Sequence, residues 1–275
     1  MKLGLTIKVL VLFAATQLLG VYTASRLLPQ LADTAAAGIS DFTLSGILLT
    51  VVFTAVFLFL SFRFEYFGSW LYRVFLTVII FSAAQVLAGI WFGPTIALII
   101  ALTVPLVYWL WQSVLAQNAV MLVTLAAIGA ALGLAVTPLT AVIALVVLSF
   151  YDIIAVYRTG HMVKLAQGMI RARAIFGFVV PEDSRDFGVK LDQVTPGQGF
   201  MILGSGDVIL PLLLAASLVR SSVITALLVA GFATLGALLT HCLFTSQKIR
   251  RPMAALPPIA LMSIVGYLVA IIFNF

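Results

Sequence analysis

Long unbroken apolar stretches separated by short polar breaks make up most of this chain. A helix needs ~20 apolar residues to cross a bilayer, and stretches of that order occur at 7–24, 43–62, 70–92, 95–113, 118–136, 138–158, 199–219, 222–243 and 256–274. A membrane barrel would instead alternate apolar and polar residues in segments of ~10, and that alternation is missing. The pattern therefore predicts an all-α polytopic membrane protein of nine transmembrane helices. The first stretch contains Thr23-Ala24-Ser25, a loose match to a leader cleavage site. It is longer than the ~7–15 apolar residues of a signal peptide, so it is read as an uncleaved first helix. Gly129 and Gly133 form a small-xxx-small pair suited to close helix packing, and Pro105 is placed to kink the fourth span.

One substantial polar stretch, 159–198, divides the chain into spans one to six (1–158), this soluble segment, and spans seven to nine (199–275). In its first half Met162, Leu165, Ala166, Met169, Ala172 and Phe176 recur at helical spacing, opposite Lys164, Gln167 and Arg171. That predicts an amphipathic helix on the membrane surface. Its second half, 181–198, is turn-rich and reads as a mobile loop.

Composition removes the alternatives. With 63% apolar and 9% charged residues, neither a soluble surface nor a disordered chain is available. The net charge of +6 is a topology signal and not a nucleic-acid footprint. With the N-terminus inside, thirteen of the fifteen Lys and Arg residues fall on the inner side, leaving only Arg26 and Arg220 outside. The C-terminus is then outside. Cys242 is the only cysteine, which excludes an intrachain disulfide and a cysteine metal cluster, and it reads as a small hydrophobe. His161 and His241 read as interfacial anchors, and Trp70, Trp91, Trp109 and Trp111 as an aromatic belt. No metal or cofactor is expected.

Seven of the nine acidic residues fall in loops or at interfaces, but Asp152 and Asp207 fall inside spans. An aspartate at a helix centre costs ~2.5–3.5 kcal/mol to insert, and no basic residue lies at matching depth. At 1.5 Å per residue both lie ~9–12 Å below the inner surface, on antiparallel neighbouring spans. Two carboxylates held close cannot both ionise easily and so hold one proton, the arrangement of aspartic proteases. One takes a proton from water while the other hydrogen-bonds the scissile carbonyl. The run Leu203-Gly204-Ser205-Gly206-Asp207 leaves room for a backbone beside the second acid, and Pro211 cannot donate to the Asp207 carbonyl.

These residues carry a resemblance. Tyr151-Asp152 in one span and Gly204-Ser205-Gly206-Asp207 in the next resemble the paired YD and GxGD motifs of the presenilin and signal peptide peptidase family, and the setting is closest to microbial presenilin homologues. The family's third motif is Pro-Ala-Leu, often followed by Pro. Ala254-Ala255-Leu256-Pro257 resembles it, with Ala254 in place of the leading proline, a departure that bears on substrate pairing. The resemblance implies an intramembrane aspartyl endopeptidase with catalytic Asp152 and Asp207. Tyr151, Gly204, Gly206, Ala255, Leu256 and Pro257 would contact the substrate, a single-span membrane protein held partly as an added strand. It also implies residence in the bilayer of a prokaryotic cell membrane, with self-association left open. Two other readings use the same acids: a prepilin- or preflagellin-type peptidase, which shares GxGD but usually lacks YD, and a proton-coupled transporter with the pair as a relay.

Overall fold

The computed structural model describes residues 3–34, 65–159, 168–195, 199–246 and 253–273. The expected span at 43–62, His161 and residues 160–167 of the amphipathic 159–176 stretch lie outside them. The described helices are α1 (Leu3–Thr34), α2 (Glu65–Trp91), α3 (Pro94–Leu110), α4 (Val114–Ala135), α5 (Pro138–Ile154), α6 (Ser205–Ser217), α7 (Val223–Ser246) and α8 (Leu256–Ile272). Strands β1 (Gly177–Pro181) and β2 (Phe200–Gly204) pair antiparallel. Among the described residues, five helices are long and apolar enough to cross a membrane, and α3 and α8 are shorter apolar helices.

Helix starts follow local chemistry. Ser113 and Thr137 cap α4 and α5 by accepting the amides of Ala116 and Thr140, each satisfying an otherwise orphan donor. Pro94 and Pro138 open α3 and α5, where a missing N–H costs nothing. Candidate cleavage residue Ala24 lies within α1 and is fully buried, so that stretch of α1 is packed core.

Helix α4 lies along α1 and α6. Gly20 and Gly129 both face Leu212, and Gly133 faces Ala216 and the Leu213 carbonyl. The small-xxx-small pair thus seats α6 against α4, as expected. Outward-facing side chains stay apolar: Trp70, Trp91 and Trp111 are exposed near helix ends, as an aromatic belt requires. Cys242 is exposed on α7.

Four expectations are corrected. The seventh span is not a helix over 199–219. It begins as strand β2, and the helix proper has thirteen residues. That is about 20 Å, short of a ~30 Å hydrocarbon core. The five strand residues make up the difference at about 3.3 Å each. The 181–198 stretch is not a mobile loop over its described residues. It folds into short 3-10 turns at Ser184–Gly188 and Leu191–Gln193, where Leu191 and Val194 pack with Val114, Ile175 and Val179. Scattered Val and Leu residues between turn formers gave it a small core of its own. At Arg173 the backbone turns left-handed, with φ of 53°, so Ala172 and Phe176 do not continue a surface helix. His241 is also not interfacial. It is buried to 2% exposure in α7, on the same face as the core residues Ala233 and Ala237.

Candidate active site

Asp152 sits near the end of α5, whose backbone widens into a π turn at Ala155–Thr159 just beyond it. Such turns are frequent at functional sites. The carboxylate is 6% exposed, and its Oδ2 accepts the backbone N–H of Leu256 at 3.2 Å. The Ala255 amide is directed at the same group. Residue types explain this arrangement. Helix α8 starts at Leu256, with Pro257 and Pro258 next in line, and prolines carry no N–H. Ala255 and Leu256 therefore supply the free amides of this N-terminus, and a carboxylate from another helix takes the capping place. Thr240 Oγ1 of α7 donates to the Ala255 carbonyl at 3.3 Å, fixing that peptide from its other side. The Ala-Leu-Pro segment is thus a helix start and a holder of Asp152 at once. Ala254, standing where the family has proline, is buried to 6%.

Asp207 lies in the first turn of α6, immediately after β2. Its carboxylate lies against the backbone amide of Gly204, and Asp152 is near enough for its charge to act on it. A Cβ at Gly204 would stand 3.2 Å from Asp207 Oδ2. The room left by that glycine is therefore taken first by the carboxylate itself, not by a second helix. Gly206 is exposed, with nothing within 4 Å of where its Cβ would be. The described salt bridge, Arg173–Asp192, is elsewhere, so among the described residues no cation neutralises either acid. Tyr151, one residue from buried Asp152, turns outward and is 52% exposed. Pro211 is buried within α6.

Gln17 of α1 was not anticipated. It is fully buried, and its Nε2 donates to the carbonyl of Val208, next to Asp207, at 2.9 Å. A lone amide in an apolar span was the available signal. Ser149, one turn before Asp152, keeps a buried hydroxyl without a protein partner among the described residues, a place for a water.

The approach to Asp207 is the outer edge of β2, whose residues are half-buried or buried and which pairs, among the described residues, with β1 alone. Val179 of β1 directs both its N–H and its C=O to Asn118 of α4. Val179 therefore exchanges no hydrogen bonds with Ile202, its cross-strand partner, because directly opposed antiparallel residues exchange both bonds or neither. The polar groups of Ile202, and by alternation those of Phe200 and Gly204, face away from β1. The row ends at the Gly204 amide beside Asp207.

A family model described as signal-peptide peptidase, presenilin aspartyl protease matches residues 40–275. The chain belongs to that family. It is accordingly an intramembrane aspartyl protease, a multi-pass hydrolase, and the prepilin-peptidase and transporter readings are not favoured. Two solved structures share the fold. A presenilin family intramembrane aspartate protease in space group C222 aligns with a TM-score of 0.67 at 19% identity, covering 98% of this chain and 99% of that one. A second, in space group P2, aligns with a TM-score of 0.62 at 21% identity, covering 97% of each. No curated protein matches the sequence.

Proposed function

We propose that Asp152 and Asp207 form the catalytic dyad and that the substrates are single-span helical membrane proteins. The observation that carries this is the meeting of three segments far apart in sequence. The Asp152 carboxylate is bound by the start of α8 and lies within electrostatic reach of Asp207. The pair acts as a unit holding one proton. The ionised carboxylate draws a proton from water, the protonated one polarises the scissile carbonyl, and no covalent intermediate forms.

A helical substrate hides its peptide bonds, so it must unwind at the site. The outer edge of β2, unpaired among the described residues, supports strand addition there: substrate amides and carbonyls pair with Phe200 and Ile202, and the following bond is delivered to Asp207. Gly206 and Tyr151 line the open side, and Ala255, Leu256 and Pro257 the opposite one. The topology we propose is nine spans with the N-terminus in the cytoplasm, in the cell membrane of a prokaryote, supported by the distribution of Lys and Arg. It sets the dyad on the cytoplasmic half of the bilayer.

The test is cleavage of a transmembrane peptide by purified Asp152→Asn and Asp207→Asn protein in detergent. Both variants are expected to lose more than about a hundredfold in rate, the scale on which a positioned acid or base acts. Wild-type turnover by either one would sink the assignment.

A further inference from the structure

A two-stranded sheet has two edges, and an extended substrate could in principle add to either. Here the outer edge of β1 is closed, and by side chains rather than by another strand. The positions of β1 that face away from β2 are Gly177, Val179 and Pro181, by the alternation that the Val179 contacts fix. The Gly177 carbonyl accepts Gln117 Nε2 at 2.9 Å, and the same nitrogen reaches the Ile175 carbonyl at 2.7 Å. The Val179 carbonyl accepts Asn118 Nδ2 at 2.7 Å, and its amide donates to Asn118 Oδ1 at 2.8 Å. The Pro181 carbonyl accepts Lys8 Nζ at 3.0 Å, and proline has no amide to offer. Asn118 thereby presents one donor and one acceptor to one residue, as a neighbouring strand would. Gln117 is itself oriented by the hydroxyl of Tyr108, which donates to its Oε1 at 2.6 Å. Gln117 and Asn118 are both buried to 2% exposure or less, and every residue of β1 is buried.

We propose that this side-chain seal makes the hairpin a one-edged template, with Asn118 as the positioning residue that fixes which substrate bond reaches the dyad. The inference rests on the strand-addition reading above and deepens it. Asn118 and Gln117 belong to α4, which also seats α6 through Gly129 and Gly133. One rigid helix therefore sets the height of β1, hence of β2 through the ladder, and the height of Asp207. Substrate register against the dyad follows from that common reference. Sealing also excludes a second, competing docking edge that would present the chain at another depth. A one-step slip of an added strand turns its side chains to the opposite face, so tolerated slips come in twos.

The experiment compares wild-type enzyme, Asn118→Leu and Asn118→Asp on one synthetic single-span peptide, with product ends read by mass spectrometry. A second peptide series carries backbone N-methyl groups one position at a time around the cleaved bond. Wild-type enzyme is expected to be slowed at alternate N-methyl positions. Indifference at every position would remove strand addition itself, and the seal's role with it. Given that sensitivity, Asn118→Leu is expected to lower kcat/KM roughly tenfold, on the scale of a lost buried hydrogen bond, and to add product ends displaced by two residues. Asn118→Asp keeps the volume and the acceptor for the Val179 amide, so it stays informative if the leucine variant does not fold, and it is expected to give the same displaced products in smaller yield. The position of a product end does not depend on how much enzyme is folded. Product ends identical to wild type in both variants would overturn the proposal while leaving strand addition standing.

Discussion

Among the described residues Asp152 is held by amides and not by a cation, and this separates its role in folding from its proposed role in chemistry. An asparagine at 152 keeps a carbonyl oxygen for the Leu256 N–H. Asp152→Asn is therefore expected to melt within about 1 kcal/mol of wild type while cleavage is lost, as circular dichroism melts beside a peptide assay would show. Gly204→Ala puts a methyl 3.2 Å from Asp207 Oδ2. Its expected signature is a kcat lowered by about tenfold with KM little changed, since in the proposed dyad the displaced group acts on the reacting bond. A comparable fall in both parameters would instead point to a damaged substrate edge. The two acids were legible in the sequence because charge is costly in a bilayer and nothing else accounted for them. Their amide partners were not legible, because a backbone N–H looks the same at every position until folding brings it to the carboxylate. Only the prolines at 257 and 258 hinted at which amides would be left over.

At the level of elements, the hairpin is what sequence pattern could not resolve. Phe200–Leu203 is only four apolar residues, separated from the apolar residues of α6 by Gly204-Ser205-Gly206-Asp207, and so short an apolar run has no period that tells strand from helix. Gly177-Phe178-Val179-Val180-Pro181 fell between the stretch read as an amphipathic helix and the one read as a loop, although its β-branched pair favours a strand. Gly177 has φ of 156°, and a Cβ there would overlap the Leu203 carbonyl oxygen. Gly177→Ala is therefore expected to separate the strands and abolish cleavage, with faster hydrogen exchange across 177–204 as the check. Gln17→Leu removes the bond to Val208 but also a buried Oε1 that lacks a partner among the described residues. The two effects offset, so stability should change by less than about 1 kcal/mol. A severalfold fall in kcat is expected from a looser first turn of α6, read by steady-state cleavage of the same peptide.

On the scale of the molecule, α1, α4 and α6 meet at Leu212, which is fully buried and faced by two glycines. Leu212→Ala should cost about 2–5 kcal/mol, seen as a lower melting temperature in detergent. The proposed inward N-terminus predicts that, in a Cys242→Ser background, Arg185→Cys is labelled by an impermeant reagent only from the cytoplasmic side and Ser221→Cys only from the other. Composition settled the medium, since a chain with 9% charged residues has no surface fit for water. The sequence also singled out the two acids, since a charge within hydrocarbon is costly wherever the helix goes. Only the tertiary structure shows that the stretch carrying Asp207 begins as a strand and that α8 caps Asp152. It also decided that Gln17, Gln117 and Asn118 hold the site's backbone in place. These are contacts between residues as many as 191 positions apart. Apolar periodicity reports which residues leave water, whereas the partners of buried backbone groups are settled only when the helices pack and every unpaired donor must find an acceptor.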